Sequence, residues 1–420
     1  MSGTGTSFTR NMMTLLGGTA TAQVIPLLAA PVLTRLYTPE QFGALAILLA
    51  VANPLSLLVC GRYELTVVLP KADAEANLLG RLALLVGVGV SVALATVIWG
   101  FGDRWAVLFG GAAAIVPLLL APVLISLMGV FQPINNWLIR KQAFRAMGVN
   151  KIVQTSGITG VSLALAWWAG GHGLLIGYVV GWLLYFLIGV AQARSKGFRF
   201  RPIDLPSIRN AAKAYRGFPL YNALPAVLNT AALSVPVFFL TRSFDEHVTG
   251  QFNLCRQTTF LPLTFFATSF MQVWTQRASS TVVDGVPVLP LLRRSVRSLG
   301  GLALAIATVL LIGGPWLFGS VFGKEWTVAG EYARILALPL AIQLVVMPLT
   351  PLLPALGRIR AFSIWQVCYF LAVLLAGLVT FAMPGDYLAV LAVLESLCFT
   401  ALGILVYRSA SNHDAQLAPA

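Results

Sequence analysis

Twelve apolar stretches, each long enough to cross a lipid bilayer, limit what this chain can fold into. Only 10% of its residues are charged and 58% are hydrophobic, whereas a soluble domain carries about 25% charged residues. Backbone polar groups in lipid must be satisfied within their own segment, so an apolar run of about 20 residues crosses the bilayer as a helix. The sequence therefore predicts an all-α integral membrane protein. The twelve transmembrane helices are expected at residues 12–36, 43–69, 78–100, 114–139, 149–169, 172–193, 217–241, 250–276, 298–321, 331–356, 361–382 and 386–407.

The distribution of basic residues along the chain predicts its orientation. A net charge of +14 would suggest a nucleic-acid partner in a soluble protein. In a membrane protein the same excess marks the cytoplasmic loops, which are enriched in Lys and Arg, so we expect no nucleic-acid partner. With the N-terminus inside, 21 of the 28 basic residues fall in inner loops or tails, two lie within spans and five fall outside. Both termini are therefore expected in the cytoplasm.

A motif that recurs at one offset indicates an internal repeat. LTRLY (33–37), followed by Gly43, matches LTRSF (240–244), followed by Gly250, 207 residues later. Each copy joins the first and second spans of a six-span half on the outer side, and an even number of spans gives parallel repeats. The sequence thus predicts two six-helix bundles with pseudo-two-fold symmetry, the architecture of a transporter. The predicted parts are an N-terminal bundle (1–194), a basic cytoplasmic linker (195–216), a C-terminal bundle (217–408) and a cytoplasmic tail (409–420).

Enzyme signatures are mostly absent from the sequence, and the spacings typical of metal sites do not occur. The four cysteines lie far apart in apolar segments and form no Cys or His ligand spacing, which argues against a disulfide framework or a zinc site. The three histidines have no triad partner or HExxH pattern nearby. We therefore expect no metal, no cofactor and no catalytic residue. The opening MSGTGTSFTRN leads straight into a long apolar segment, so no cleaved signal peptide is expected.

Two arginines within the predicted spans are candidates for substrate binding. Intramembrane ionisable residues usually face a bundle interior or a watery cavity. Arg62 lies in the second span and Arg256 in the eighth, so each half contributes one guanidinium group. Two such groups would attract an anion, and Arg binds phosphate oxygens through two parallel hydrogen bonds. The alternatives are structural: a snorkelling side chain for Arg62 and an interhelical contact for Arg256.

Two glutamates within the spans are candidates for ion coupling. Glu395 lies near the middle of the twelfth span, too deep to reach water by snorkelling, so it is either protonated, paired or surrounded by water. A role in coupling to protons or sodium stands beside a neutral, hydrogen-bonded structural role. Glu64 is two positions from Arg62, and a continuous helix would place it on another face, as a poor partner for Arg62.

One face of the fourth span is polar. Gln132, Asn135, Asn136 and Arg140 follow an i, i+3, i+4, i+8 pattern. Amides donate and accept hydrogen bonds, which suits sugar hydroxyl groups, so these residues are predicted substrate contacts. The alternative is that they satisfy neighbouring helices, as amides often do in bundles.

Several of these stretches resemble a known family. LTRLYTPEQFGALAI (33–47) and GRYELTVVLPK (61–71) are similar to the opening of bacterial polysaccharide-transport proteins, the O-antigen flippase family. Weaker similarity continues in GQFNLCRQTTFLPLTFF (250–266) and LGRIRAF (356–362). That family shares a superfamily with multidrug and toxin extruders (MATE) and lipid II flippases. The resemblance implies a MATE-like fold around a cationic cavity in the bacterial inner membrane.

The resemblance also implies a function. Such a protein moves an oligosaccharide linked to a polyprenyl diphosphate, such as an O-antigen, capsule or exopolysaccharide repeat unit, from the cytoplasmic to the periplasmic leaflet by alternating access. Its expected partners are this lipid-linked oligosaccharide, membrane lipid, a proton or sodium ion, and the polymerase and export machinery for the polysaccharide. A drug or small-molecule antiporter of the same fold is the alternative, although a cavity for cationic drugs would be lined by acids. A membrane glycosyltransferase or polymerase is a further alternative, which the short outer loops disfavour.

Overall fold

The computed structural model describes residues 22–168, 171–200 and 204–417. Within these ranges the chain is helical and contains no β-strand. The start of the first predicted span and the expected absence of a signal peptide concern residues 1–21, which lie outside the described residues.

Fifteen α-helices and four short 3-10 segments make up the described ranges. The α-helices are α1 (Ala22–Leu36), α2 (Pro39–Ser56), α3 (Asp73–Gly100), α4 (Gly102–Leu108), α5 (Ile115–Arg140), α6 (Phe144–Leu165), α7 (Gly173–Ser195), α8 (Leu205–Ala214), α9 (Gly217–Ser243), α10 (Glu246–Val283), α11 (Leu289–Val321), α12 (Thr327–Val346), α13 (Leu352–Ala355), α14 (Ile359–Gly377) and α15 (Pro384–Leu417). The 3-10 segments are Tyr63–Val68, Gly111–Ala114, Lys324–Trp326 and Met347–Leu349.

Eleven of the twelve predicted spans follow one helix over most of their described residues, whereas the second is interrupted after Ser56. Eight helical segments in the described ranges are long and apolar enough to cross a membrane. The other four, α1, α2, α6 and α10, are shorter or carry more polar residues. Large apolar side chains point away from the protein interior: Trp168 is 87% exposed and Ile312 is 77% exposed. Lipid is the environment that suits such a surface, and the chain is a multi-pass membrane protein.

The chain divides into two compact units, Met1–Gly250 and Gln251–Ala420. In the first unit α5 is central and packs against α2, α3 and α7. Its buried side chains Phe131 and Trp137 form a core with Tyr185 and Phe198. The predicted division at a linker over residues 195–216 comes from the sequence repeat. A division by compactness does not test it, so it stays a prediction.

Small residues let α6 and α7 approach each other closely. A Cβ atom on Gly177 would overlap the Ser162 hydroxyl, and one on Gly181 would overlap the Ile158 side chain. Glycines spaced four apart present a flat strip of backbone to a neighbouring membrane helix. The GxxxG spacing therefore accounts for the tight packing of this pair.

In the second unit α12 packs against α11 and α15, and α14 packs against α15. The last helix runs on past the apolar segment, and its Asp414 reaches the start of α11. There its carboxylate oxygens accept hydrogen bonds from the backbone N–H groups of Val288 at 2.7 Å and Leu289 at 2.8 Å. Free N–H groups at a helix start are stabilised by such a carboxylate, so the tail caps α11.

The two copies of the repeated motif contact each other reciprocally, within the first unit. Gly43 in α2 packs against the backbone carbonyl of Glu246, and Gly250 in α10 packs against that of Pro39, so closely that a Cβ atom on either glycine would overlap the carbonyl. Pro39 and Glu246 are 207 positions apart, as are Gly43 and Gly250. The two contacts therefore join equivalent positions of the repeat in both directions. Reciprocity of this kind is the signature of a local two-fold axis. We call this contact the repeat crossing.

Candidate functional site

The second predicted span is interrupted where the candidate charges lie. The span was expected to be one helix over residues 43–69, but α2 ends at Ser56 and a turn leads into the 3-10 segment Tyr63–Val68. Gly61 and Arg62 have φ angles of 56° and 62°, in the left-handed region that non-glycine residues rarely adopt. The prediction of a continuous helix is therefore wrong here, and we call residues 57–69 the broken segment.

The change of direction brings Arg62 and Glu64 together. Arg62 Nη1 lies 3.4 Å from Glu64 Oε1, and the Glu64 side chain is only 4% exposed. The expectation that they are poor partners is thus wrong, because it assumed helical spacing, whereas the positive φ at Arg62 turns both side chains to one side. Arg62 Nε and Glu64 Oε2 are buried and have no hydrogen-bond partner among the described residues. The described residues therefore satisfy this pair only in part.

Helix α5 supports the broken segment from one side. Gly129 leaves room for Val59, whose side chain occupies the place a Cβ atom would take. One residue on, the Cys60 thiol donates a hydrogen bond to the Gly129 carbonyl at 3.3 Å. The turn that carries Arg62 is thus seated on α5 one helical turn before Gln132.

Arg140, at the end of α5, holds the far end of the broken segment. Its guanidinium group donates to the backbone carbonyls of Val67, Pro70 and Lys71 and, through Nε at 3.0 Å, to the Asp73 carboxylate. These partners occupy its donors, so Arg140 stabilises the segment. Its predicted contact with substrate stays a prediction.

The amides of α5 are half-buried and bond within their own helix. Gln132 donates to the Met128 carbonyl at 3.4 Å, and Asn136 donates to the Gln132 carbonyl at 3.0 Å. Each of these i to i−4 bonds uses one N–H of the amide within its own helix. Asn135 is also half-buried. A role for the three amides in sugar binding stays a prediction.

The second unit holds Arg256 and Glu395. Glu395 in α15 is 7% exposed and accepts a hydrogen bond from the Tyr369 hydroxyl of α14 at 3.0 Å. Arg256 in α10 interacts electrostatically with this carboxylate, and its guanidinium carbon lies 5.5 Å from the centre of the Phe252 ring. The structure thus brings together a candidate substrate residue and a candidate coupling residue. The polar groups of this cluster are the Arg256 guanidinium, the Glu395 carboxylate and the Tyr369 phenol.

Sequence reasoning missed the tyrosines of this cluster. Tyr369 stacks on Trp365, with ring centres 5.4 Å apart, and donates to Glu395. The Tyr387 hydroxyl is buried and has no hydrogen-bond partner in the described part of the chain. Phenols are uncharged at neutral pH, so they are not among the charged residues identified within the spans. A tyrosine placed within an apolar span is the sequence signal that would have found them, because its hydroxyl needs a hydrogen-bond partner there.

Residues 22–168, 171–200 and 204–417 contain no cluster of metal-binding side chains. There, no group of three or more His, Cys, Asp or Glu side chains is placed to hold a metal ion. What the two sites offer instead is guanidinium groups, carboxylates and phenols.

Residues 32–331 match a family model described as polysaccharide biosynthesis protein. The match covers most of the chain, including the broken segment, α5 and Arg256. None of the curated proteins matches the chain in sequence.

Solved structures of membrane transporters are similar to this chain over nearly its whole length. The lipid II flippase MurJ, in an inward closed conformation, has a TM-score of 0.77 at 12% identity, over 96% of this chain and 90% of that one. An inward-facing multidrug resistance MATE family transporter of the MOP superfamily has a TM-score of 0.73 at 14% identity, over 94% and 96%. A MOP superfamily transporter from Pyrococcus furiosus has a TM-score of 0.59 at 12% identity, over 96% and 95%. At such identities the similarity concerns the fold, and it confirms the predicted MATE-like architecture.

Proposed function

Because the chain belongs to the polysaccharide biosynthesis protein family, we propose that it is a flippase for a lipid-linked oligosaccharide. The substrate is a polyprenyl-diphosphate-linked repeat unit of an O-antigen, capsule or exopolysaccharide. It moves from the cytoplasmic to the periplasmic leaflet by alternating access, and this transport involves no catalytic residue. The similarity of the fold to a lipid II flippase supports a lipid-linked substrate. The product is then available to polymerase and export proteins on the outer side.

The interrupted second span is the observation that carries the proposal. Transporters of several folds bind their substrates where a membrane helix is discontinuous, because the freed backbone and its side chains line a cavity. Here the discontinuity presents Arg62, whose Nε is buried without a partner in the described ranges. A strained conformation at a non-glycine residue is a common mark of a functional position.

Arg62 contacts the diphosphate in this proposal. Glu64, 3.4 Å away, holds the guanidinium group in place while the site is empty. A diphosphate carries more negative charge than one carboxylate and accepts bidentate hydrogen bonds, so it competes with Glu64 for Arg62. The Glu64 carboxylate is the second candidate site for the coupling cation. The α5 amides Gln132, Asn135 and Asn136 contact the sugars.

Glu395 couples transport to a proton or sodium gradient in the proposal. Its buried carboxylate has one hydrogen bond from Tyr369 and the charge of Arg256 nearby. In the proposal the cation moves inward down its gradient as the substrate moves outward, so the two occupy the protein in opposite halves of the transport cycle. The charge on Glu395 then differs between these halves, and Arg256 lies within its electrostatic reach. The cation gradient supplies the energy for transport, which therefore requires no ATP-binding motif.

Reconstituted liposomes with a fluorescent polyprenyl-diphosphate oligosaccharide test the proposal. Arg62→Gln is expected to slow leaflet crossing tenfold to a hundredfold, because a hydrogen bond to a charged group contributes about 1.5–3 kcal/mol. Arg104→Gln, at an exposed arginine of α4, serves as the matched control and keeps the normal rate. Equal rates in two folded variants contradict the role of Arg62. Transport of a cationic dye instead of the oligosaccharide supports the antiporter.

The coupling role has its own test in the same liposomes. Imposed proton and sodium gradients are expected to accelerate the wild type and to leave Glu395→Gln unchanged, with Tyr369→Phe in between. A wild type that ignores both gradients removes the coupling role and leaves the flippase proposal standing.

The proposed location is the bacterial inner membrane, with both termini in the cytoplasm. Support comes from the charge asymmetry of the loops. In a cysteine-free background, a membrane-impermeant thiol reagent added to whole cells is expected to label Arg104→Cys and to spare Arg209→Cys. The reverse labelling pattern would invert the topology.

A further inference from the structure

A cationic pocket lies beside the broken segment, in the first unit. It encloses about 390 Å³ between the start of α3, the end of α5 and the chain after α7. Its lining residues are Asp73, Ala74, Asn77, Arg81, Trp137, Lys141, Gly197 and Arg199. Three of these side chains are basic and one is acidic.

The acceptors in this pocket are already occupied. The Asp73 carboxylate is held by Arg140 and Lys141. The Asn77 side-chain oxygen accepts from the Arg199 backbone N–H at 3.3 Å, and the Asn77 amide donates to the Gly197 carbonyl at 3.2 Å. The excess charge of the lining is therefore positive, and the start of α3 adds the positive end of a helix dipole.

Closely packed, buried side chains support the pocket. Phe198 is 2% exposed and Trp137 is 1% exposed, and their rings meet edge to face at 5.3 Å. Gly80 in α3 makes room for Phe198, whose ring lies 2.6 Å from the place of a Cβ atom. The two Asn77 hydrogen bonds fix the chain on either side of Phe198. The Arg199 backbone is thus held in place while its side chain stays exposed.

Apolar side chains continue from the pocket to the surface. Phe200, directly after Arg199, is 44% exposed, and its ring meets that of Phe198 edge to face at 4.9 Å. Next along the chain, α8 packs Ile208 against Leu79 and Leu82 of α3, and its Leu205 is 69% exposed. Cations beside exposed apolar side chains and an amphipathic helix are features of a membrane interface.

We propose that this pocket binds the phosphate group of a membrane lipid, with Arg81 and Arg199 contacting the phosphate oxygens and Phe200 facing the chains. Guanidinium groups suit phosphate geometry, and basic pockets at the ends of membrane helices bind anionic headgroups. The lipid is either an anionic phospholipid or a prenyl diphosphate, which share this chemistry. The site is separate from Arg62, and the proposal does not depend on transport.

Binding of short-chain lipids to the detergent-purified full chain tests the proposal. The probes are dioctanoyl phosphatidylglycerol, farnesyl diphosphate, dioctanoyl phosphatidylcholine and inorganic pyrophosphate. We expect the wild type to bind at least one of the first two more than tenfold tighter than phosphatidylcholine and pyrophosphate. Phosphatidylglycerol alone identifies a phospholipid site, and farnesyl diphosphate alone identifies a site for prenyl diphosphates. Equal binding of pyrophosphate overturns the lipid assignment.

Three variants locate the binding. Arg81→Gln combined with Arg199→Gln is expected to weaken the preferred lipid tenfold or more, and Arg199→Gln alone, at an exposed side chain, by about threefold. Arg209→Gln, on the exposed face of α8, keeps the wild-type affinity. The melting temperature of each variant shows that it is folded. A folded Arg199→Gln variant that binds as tightly as Arg209→Gln overturns the proposal.

Discussion

The two ends of α2 are held in different ways. At its start, Gly43 lies directly against the backbone of Glu246, and the counterpart Gly250 repeats the contact against Pro39. At its end the helix gives way to the broken segment, where Arg62 adopts a positive φ and Arg140 binds three backbone carbonyls. The start relies on backbone meeting backbone, which tolerates no added atom. The end relies on side-chain hydrogen bonds, which exchange more readily. We therefore expect the repeat crossing to be rigid and the broken segment to be adaptable.

Gly250→Ala is expected to have the largest effect on stability. The added methyl group overlaps the Pro39 carbonyl, and relief requires a backbone shift that costs about 3 kcal/mol. Gly89→Ala is the matched control, since open space surrounds that position in α3, and alanine there is expected to stabilise by about 0.5 kcal/mol. Thermal unfolding in detergent compares the two. Similar melting temperatures would show that the crossing is not tightly packed.

Arg140→Ala is expected to follow, with a loss of about 2 kcal/mol. The substitution leaves the carbonyls of Val67, Pro70 and Lys71 without their charged donor, and bonds to charged groups contribute about 1.5–3 kcal/mol. Arg145→Ala, at an exposed arginine nearby, should stay within about 0.5 kcal/mol of the wild type. Hydrogen exchange of the broken segment should increase in the first variant alone. Unchanged exchange would remove Arg140 as its clamp.

Gly61→Ala is expected to cost about 1 kcal/mol, because a side chain disfavours the left-handed conformation at φ 56°. No heavy atom lies closer than 3.6 Å to the place of the new Cβ atom, so the cost is conformational and not steric. The thermal melt measures it, with Gly89→Ala again as the reference. A loss as large as that of Gly250→Ala would erase the distinction between the two ends.

The Glu40–His247 pair at the repeat crossing is expected to contribute least. His247 Nδ1 lies 2.7 Å from Glu40 Oε1, and both side chains are nearly half exposed, which limits the pair to less than about 1 kcal/mol. Burial acts to raise the pKa of Glu40, but the hydrogen bonds from Thr38 and His247 outweigh it and lower the pKa.

The lowered pKa of Glu40 gives this small contribution a pH dependence. The stabilisation is present above the ordinary carboxyl pKa and is lost as the pH falls through the lowered folded-state pKa. The melting temperature of His247→Gln should therefore lie slightly below that of the wild type near pH 6 and converge with it in acid. A difference that persists at the lowest pH would assign the effect to packing.

The sequence was sufficient to predict the spans and the repeat, because both are patterns of apolar length and residue identity. The glycines of the repeat crossing appear in the motif, and the offset of 207 pairs each with its counterpart. The broken segment escaped prediction because, apart from Arg62 and Glu64, its residues are as apolar as those of a membrane helix. Pro54 and Gly61, both within the predicted span, were the local signs of an interruption.

Side-chain partners were harder to predict than the helices that carry them. The polar face of α5 was identified from spacing, yet its amides bond to their own helix and Arg140 bonds to distant carbonyls. Such choices depend on which acceptors lie within reach after folding. The link between Glu395 and Tyr369 joins two helices, and no spacing within one helix reveals it.

The cap that Asp414 provides for α11 has a practical consequence for handling the protein. The residues it joins are about 125 positions apart, so a change at the extreme C-terminus reaches a helix of 33 residues in the interior of the sequence. Affinity tags or reporter fusions near this tail should therefore leave Asp414 in place and be separated from it by a flexible spacer. Trimming the tail before residue 414 to aid crystallisation would loosen the start of α11.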